Sequence, residues 1–222
     1  MTDQRSIRVL VTGFGPFPGV RTNPSGQFLN LIETRFTPVS GNVDLRTELL
    51  PTSWMAAEEF ANGCLADFDP HVALHFGVHR RAGGFRIETR AQNRACTQPD
   101  VDGKSFGSTE LVKNAPTVLR SNIPAEKLVQ SLQSRGLPAQ PSRDAGRYLC
   151  NMLFYLSLSR ETSSPRQIGF VHIPPLASPA ANRYRRNQPL FDMKTLLDGA
   201  ELIVNQCIVA HRRAMRSVTC LG

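Results

Sequence analysis

Three short apolar runs, spaced far apart and separated by helical patterns, constrain this chain more than any other feature. Ile7-Arg-Val-Leu-Val-Thr12 is β-branched and gives way to Gly13-Phe-Gly-Pro-Phe-Pro-Gly19, so it reads as a buried first strand followed by a long loop. His71-Val-Ala-Leu-His-Phe-Gly77 is apolar without alternation, the pattern of a strand covered on both faces. Gln167-Ile-Gly-Phe-Val-His172-Ile173 is a further strand, halted by Pro174-Pro175. Helical stretches between such strands predict an α/β sandwich with a mostly parallel sheet, in which ligands sit at the carboxyl ends of the strands.

The intervening elements follow from local chemistry. Asn23-Pro24-Ser25 starts a helix over residues 24 to 36, with Asn23 as N-cap, Pro24 at the first helical position, and Phe28, Leu31, Ile32 and Phe36 as its inner stripe. Val43 to Leu50 alternates as a strand. A helix from Ser53 must end before Asp69-Pro70, because the residue before a proline leaves helical geometry. The Gly83-Gly84 turn leads into the alternating segment Phe85 to Asn93. Residues 94 to 121 have little periodicity, and a loop of that length is expected to border a site or contact a subunit. A helix over 125 to 134, a short strand to Ser142, the helix carrying Cys150, and a closing helix over 191 to 215 complete the chain. Leu196, Leu197, Ala200, Ile203, Val204, Cys207 and Ile208 form the inner side of the last. No repeat or compositional break divides residues 1–222, so one domain is expected.

Composition narrows the class. With 41% hydrophobic and 20% charged residues the chain has the make-up of a globular protein, and no apolar run approaches the roughly 20 residues a membrane helix needs. The N-terminal residues lack the apolar core of a secretory signal, and five cysteines without CxxC spacing argue against a zinc ribbon or a disulfide framework. Free thiols and a cytoplasmic location are the expectation; any redox role of Cys96 or Cys220 stays open. A net charge of +8 raises nucleic acid as a partner. The arginine clusters (Arg183, Arg185 and Arg186; Arg212, Arg213 and Arg216) come with no helix-turn-helix pattern, finger spacing or exposed aromatics, so a solvated surface is expected instead.

Chemistry concentrates in Ser142-Arg-Asp-Ala-Gly-Arg-Tyr-Leu-Cys150-Asn151, which runs into an apolar helical pattern and places Cys150 in a helix's opening turns. Such a position favours thiolate over thiol and makes Cys150 a candidate nucleophile. A base is then required, and a third group to orient it. His71 and His75 fall inside a strand pattern, His79 lies in an arginine-rich turn, and His211 sits near a basic helix end. His172 alone ends an apolar strand just before a double proline. Glu88, an acid among Phe85, Ile87 and Ala91, is the best third member. Each has a plainer reading as well: a small buried hydrophobe, a hydrogen-bonded core histidine, and an exposed acid or a partner of Arg86 or Arg90. Phe14 and Phe17 suit the walls of a site for a flat, uncharged ring. Pro16 and Pro18 remove donors that a phosphate loop would need.

These segments resemble the type I pyroglutamyl peptidases, or pyrrolidone-carboxylate peptidases. The opening Val-Thr-Gly-Phe-Gly-Pro-Phe-Pro-Gly with Asn23-Pro24-Ser25, the cysteine stretch Ala145-Gly146-Arg-Tyr148-Leu-Cys150-Asn151, Gly169-Phe-Val-His172-Ile-Pro174, and Glu88 with Asn93 are each similar to a family segment. The resemblance implies a three-layer α/β/α sandwich around a mostly parallel, mixed sheet, assembled as a homotetramer or dimer. It also implies a cysteine exopeptidase that removes N-terminal pyroglutamate (5-oxoproline) from peptides through a thioester, without metal or cofactor. Carried over, Cys150 is the nucleophile, His172 the general base and Glu88 its orienting group, with Phe14, Phe17, Tyr148 and Leu149 around the lactam ring. Departures fall at Pro18, in the approach to Glu88, at residues 94 to 104, and at Ala177-Ser178-Pro179. The residues themselves also admit another hydrolase or phosphorylase on the same sandwich, or a basic nucleic-acid-binding module.

Overall fold

A computed structural model describes residues 6–17, 19–160, 166–176 and 191–219. Arg183, Arg185, Arg186, Cys220, Pro18 and Ala177-Ser178-Pro179 therefore lie outside the described residues. Six strands form one sheet in the order β2 (Val43–Leu50), β1 (Ile7–Phe14), β3 (Val72–Val78), β8 (Gln167–Ile173), β4 (Phe85–Glu88), β7 (Ala139–Ser142). The first four are mutually parallel; β4 runs antiparallel to β8, and β7 runs parallel to β4. The sheet is mixed and mostly parallel, as expected. A short antiparallel pair, β5 (Arg90–Gln92) and β6 (Val118–Arg120), stands beside it.

Period-two alternation assigns each strand's side chains to one of two apolar layers. Val9, Val11, Val72, Leu74, Phe76, Phe85, Ile87, Val171 and Ile173 face one layer, packed with residues of α1 (Pro24–Arg35), α4 (Ala125–Gln133) and α6 (Met193–Thr219). Leu10, Ala73, Ile168 and Phe170 face the other, with α2 (Trp54–Asn62), α3 (Cys64–Phe68) and α5 (Leu149–Ser159). The result is three layers, α/β/α. The parity that buries Phe85 and Ile87 in the first layer turns Arg86 and Glu88 toward the second, and Phe170 and His172 face it too.

Boundaries differ from the sequence expectation where tertiary contacts decide. β1 continues past Thr12 through Gly13 and Phe14, pairing with Leu49 and Leu50. Gly13 does not break the strand; a β-carbon there would lie 1.7 Å from the Ser25 carbonyl oxygen, so its absence admits the start of α1. Phe14 is consequently a strand-end residue at 3% exposure and not a loop residue. The helix expected from Ser53 to Asp69 is two, divided at Gly63 (φ −103°, ψ −91°). On α1, Leu29 replaces the half-buried Leu31 and Phe36 in the buried set. The last helix reaches Thr219, and the Asp192 carboxylate accepts from the Thr195 N–H at its start.

Candidate active site

The carboxyl ends of β1, β3 and β8 and the start of α5 converge on a cavity of about 210 Å³. The Asn23-Pro24-Ser25 stretch shapes one side of it. Asn23 caps α1 by accepting from the Ser25 N–H, and its amide donates to the Gly15 carbonyl at 2.9 Å. Ser25 Oγ accepts from the Phe14 N–H. One cap thus ties the strand end, the loop and the helix together and sets the ring of Phe14 at the cavity.

α5 forms the opposite side. Asp144 accepts from the Gly146 N–H, Gly146 takes φ +81°, and the helix begins after Tyr148, which makes no side-chain cap. The first intrahelical bond runs from the Met152 N–H to the Tyr148 carbonyl. The N–H groups of Leu149, Cys150 and Asn151 come before it and point toward the helix's positive end. Asn151 anchors the helix laterally: its side chain accepts from the Gln92 N–H and donates to the Gln92 and Arg94 carbonyls.

Cys150, the second residue of α5, is partly buried and hydrogen-bonded to His172. His172 Nδ1 lies 2.9 Å from Glu88 Oε1, and Glu88 is fully buried. A carboxylate can only accept, so Nδ1 carries the hydrogen and Nε2 is left to face the thiol. Strand register explains the meeting: His172 on β8 pairs with Gly77 on β3 and with Arg86 on β4. Burial is the largest influence on His172 and works against its charge. Hydrogen bonds to Cys150 and Glu88 outweigh it, raising the imidazole to about 9. Arg86 Nε stands 3.8 Å from Glu88 Oε1, while its Nη2 donates to Ser142. Glu88 is not the exposed strand acid its residue type alone suggested.

The sequence-predicted pocket residues Phe14, Phe17, Tyr148 and Leu149 all line the cavity with Cys150 and His172. Tyr148 packs edge-on against Trp54 at 5.0 Å and donates to the Pro99 carbonyl; burial first, then the negative charges near it, push its phenol up to about 12. Residues 94 to 106 contribute none of the cavity's described lining residues; they stand behind it, supporting Tyr148 and the start of α2. Cys96 N–H donates to the Arg147 carbonyl, and the buried Asp100 accepts from the N–H groups of Trp54, Asp102 and Lys104. Asp100 serves as the acceptor for α2's first N–H, while Ser53 forms no side-chain cap there.

Sequence reasoning missed Asn23, Thr52, Val78, His79, Arg80 and Ala145 as lining residues. His79 crosses His172 edge-on at 5.5 Å, and burial, then Arg86 and His172, lower its pKa. The one available signal was that His79 and Arg80 immediately follow a buried strand, where α/β sites form. The other histidines are elsewhere: His75 is buried on Thr12, and His71 stacks with His211 at 4.9 Å.

A thiol, an imidazole and a buried carboxylate joined in sequence beside an apolar cavity define an α/β/α hydrolase of the cysteine type. The pyroglutamyl peptidase family model matches residues 7–210, and the chain belongs to that family. It is similar to the pyrrolidone-carboxylate peptidase of Pyrococcus furiosus, 35% identical over 174 residues, covering 76% of this chain and 81% of the relative. The Brevibacillus brevis pyrrolidone-carboxylate peptidase is 31% identical over 211 residues, covering 92% and 94%. A solved structure of a mutant pyrrolidone carboxyl peptidase from Pyrococcus furiosus superposes with TM-score 0.81 at 28% identity, covering 92% of this chain and 99% of that one. Among the described residues no helix is long and apolar enough to cross a membrane.

Proposed function

We propose that this peptidase removes the N-terminal pyroglutamyl residue from peptides, with Cys150 as nucleophile, His172 as general base and acid, and Glu88 as the group that orients the imidazole. The observation that carries the reading is the Cys150–His172–Glu88 chain beside a cavity whose floor is uncharged. The lactam ring lies between Phe14, Phe17, Tyr148 and Leu149. A free N-terminal glutamate would bring a charge to the same floor, at a cost of roughly several kcal/mol.

His172 takes the thiol proton, and the Cys150 thiolate attacks the pyroglutamyl carbonyl carbon. The oxygen's developing charge meets the unpaired N–H groups at the start of α5, where each well-placed donor is worth roughly 3 kcal/mol in general. The imidazolium then gives its proton to the departing amine, and the C–N bond breaks. Water, deprotonated by the same imidazole, hydrolyses the thioester and returns the thiol. These steps need no metal or cofactor.

The rest of the reading is that residues 1–222 act as one catalytic domain, in the cytoplasm, where the free thiols Cys64, Cys96, Cys150 and Cys207 stay reduced. The chain associates as a dimer or tetramer, with apolar surface such as the exposed Leu49 and Met55 available for it; sedimentation equilibrium checks that part. The activity is tested by release of 5-oxoproline from a pyroglutamyl-coumarin amide. Cleavage by the wild type that is abolished in Cys150→Ser and by thiol alkylation is expected. Full activity in Cys150→Ser would remove the nucleophile assignment.

A further inference from the structure

Glu88 orients His172 only as a carboxylate, and the protein interior resists that charge. Its side chain is fully buried; Oε1 meets the Nδ1–H of His172 at 2.9 Å, and Oε2 is buried with no hydrogen-bond partner. A buried carboxylate keeps its charge only where other groups make up for the lost water, and one imidazole N–H is little compensation. Were Glu88 protonated, its O–H would become a donor and Nδ1 would have to accept. The imidazole hydrogen would then sit on Nε2, which could no longer take the thiol proton.

Arg86 supplies the missing charge. It lies two positions before Glu88 on β4, so both side chains leave the sheet on the same face. Arg86 Nε stands 3.8 Å from Glu88 Oε1, too far for a hydrogen bond but close for two full charges. That Nε is buried without a hydrogen-bond partner, while 21% of the side chain is exposed, so the guanidinium keeps part of its hydration. Ser142 fixes its position: Oγ accepts from Arg86 Nη2 at 2.8 Å, and Ser142 is the register partner of Glu88 on β7. The Ser142 carbonyl also accepts from the N–H and the hydroxyl of Thr89, locking the end of β4 to β7. The other titratable groups around the Glu88–His172 pair are Cys150 from α5 and His79 from the turn after β3. Burial, then Arg86, lower His79 below 6.5, so it is neutral and cannot balance Glu88. Arg86 is not among the described residues that line the cavity, so a substrate bound there does not touch it.

We infer that Arg86 is a positioning residue for the reaction: anchored on Ser142, its guanidinium holds Glu88 as a carboxylate. The hydrogen of His172 thereby stays on Nδ1, and Nε2 is free to take the Cys150 proton. The inference rests on the roles given to Cys150, His172 and Glu88 above and adds a fourth member behind them. Arg86 acts on the chemical step and not on substrate binding, so its loss is expressed in kcat. It acts through Glu88, so its effect disappears once Glu88 has no charge to hold.

The test is a double-mutant cycle on Arg86→Met and Glu88→Gln, read by pyroglutamyl-coumarin amide kinetics at neutral pH, with Arg86→Lys as the conservative variant. Arg86→Met is expected to lower kcat on the order of tenfold and leave KM unchanged, and Arg86→Lys to recover most of kcat. In the Glu88→Gln background Arg86→Met should cause no further loss. An arginine that only propped the β4–β7 edge would cost the same factor in both backgrounds, and that additive result overturns the proposal. So does full kcat in Arg86→Met, or an equal loss in Arg86→Lys. If Arg86→Met fails to fold because Glu88 is left without a counter-charge, the double variant should fold, as its denaturant midpoint would show; failure of both overturns the proposal. Iodoacetamide alkylation of Cys150, followed by mass spectrometry, reads the same wiring without a substrate, and Arg86→Met should slow it on the order of tenfold. A wild type that cleaves no pyroglutamyl amide would overturn the activity reading alone. The alkylation rates would still decide this one, and no slowing in Arg86→Met would overturn it.

Discussion

The sulfur of Cys150 lies against the bare α-carbon of Gly77: a β-carbon built on Gly77 would stand 3.0 Å from Sγ and 2.9 Å from the Phe170 ring. Gly77 is also the register partner of His172 on the neighbouring strand. The missing side chain thus leaves the room in which thiol and imidazole meet. Gly77→Ala is expected to destabilise the fold by about 1–3 kcal/mol through overpacking. Displacing the sulfur should lower kcat/KM by a further factor on the order of 10 to 100. Denaturant midpoints and coumarin-amide kinetics measured on the same preparation check both, and unchanged kinetics would show that the sulfur tolerates the methyl.

Glu88→Gln keeps the shape of the side chain but removes the charge that helps hold His172 at about 9. The alkaline limb of the kcat/KM profile should therefore move down in pH, with a loss on the order of 10²- to 10⁴-fold in rate. The limb belongs to the coupled Cys150–His172–Glu88 unit and not to one residue. The stability effect has a definite sign. Because the folded value lies above the unfolded 6.5, the imidazolium's contribution is fully present below pH 6.5 and is lost as pH rises through about 9. Unfolding curves of wild type and variant should differ most at the acid side of that window and converge above it.

His75 behaves oppositely. It is fully buried, accepts or shares a hydrogen with Thr12 at 2.9 Å, and burial lowers its pKa to about 3. The unfolded chain binds a proton there near pH 6.5 and the folded one does not. Full stability from this site is present above pH 6.5, and it falls by up to about 1.4 kcal/mol per pH unit between 6.5 and about 3. In His75→Gln that one-proton slope should vanish, as denaturant titrations across the acid range would reveal. An unaltered slope would assign the acid sensitivity to other groups.

Asp100 links the 94–106 loop to the start of α2. Burial would raise its carboxyl, but N–H donors from Trp54, Lys104 and Asp102 outweigh it and hold the group below its ordinary value. Asp100→Ala removes these acceptors at once. A loss of about 1 kcal/mol, that of a helix N-cap, is expected, together with a higher KM because Tyr148 loses its fixed Pro99 acceptor. Trp54 is the single tryptophan in the chain and packs on Tyr148, so a red-shifted emission reports the loosening directly.

Several parts of this arrangement are local and were legible in the sequence. Asn23 and Pro24 start α1 where cap chemistry requires, β2 and β8 have their expected ends, and the period-two pattern of Phe85, Ile87 and Glu88 separates core from site. The loop from 94, by contrast, does not line the cavity; it supports Tyr148 and Trp54 from behind. Gly13 looked like a strand breaker and is a point of close approach, since only the Ser25 carbonyl lying against it shows why a side chain is absent. Gly63 was invisible within a good helical pattern, and its break is visible only in the backbone angles.

By itself the sequence determined the layers, the helix starts, and which few groups could carry chemistry, because propensity, capping and apolar period act over a handful of residues. Tertiary structure decided which of those groups meet. Cys150, His172 and Glu88 are brought together by the strand order β3-β8-β4, by register across two interfaces, and by the space at Gly77. Arg80 reached the cavity lip the same way, through contact with Phe17 and Gly19 some 60 residues earlier in the chain. Those pairings depend on long-range packing, which no local pattern of residues encodes.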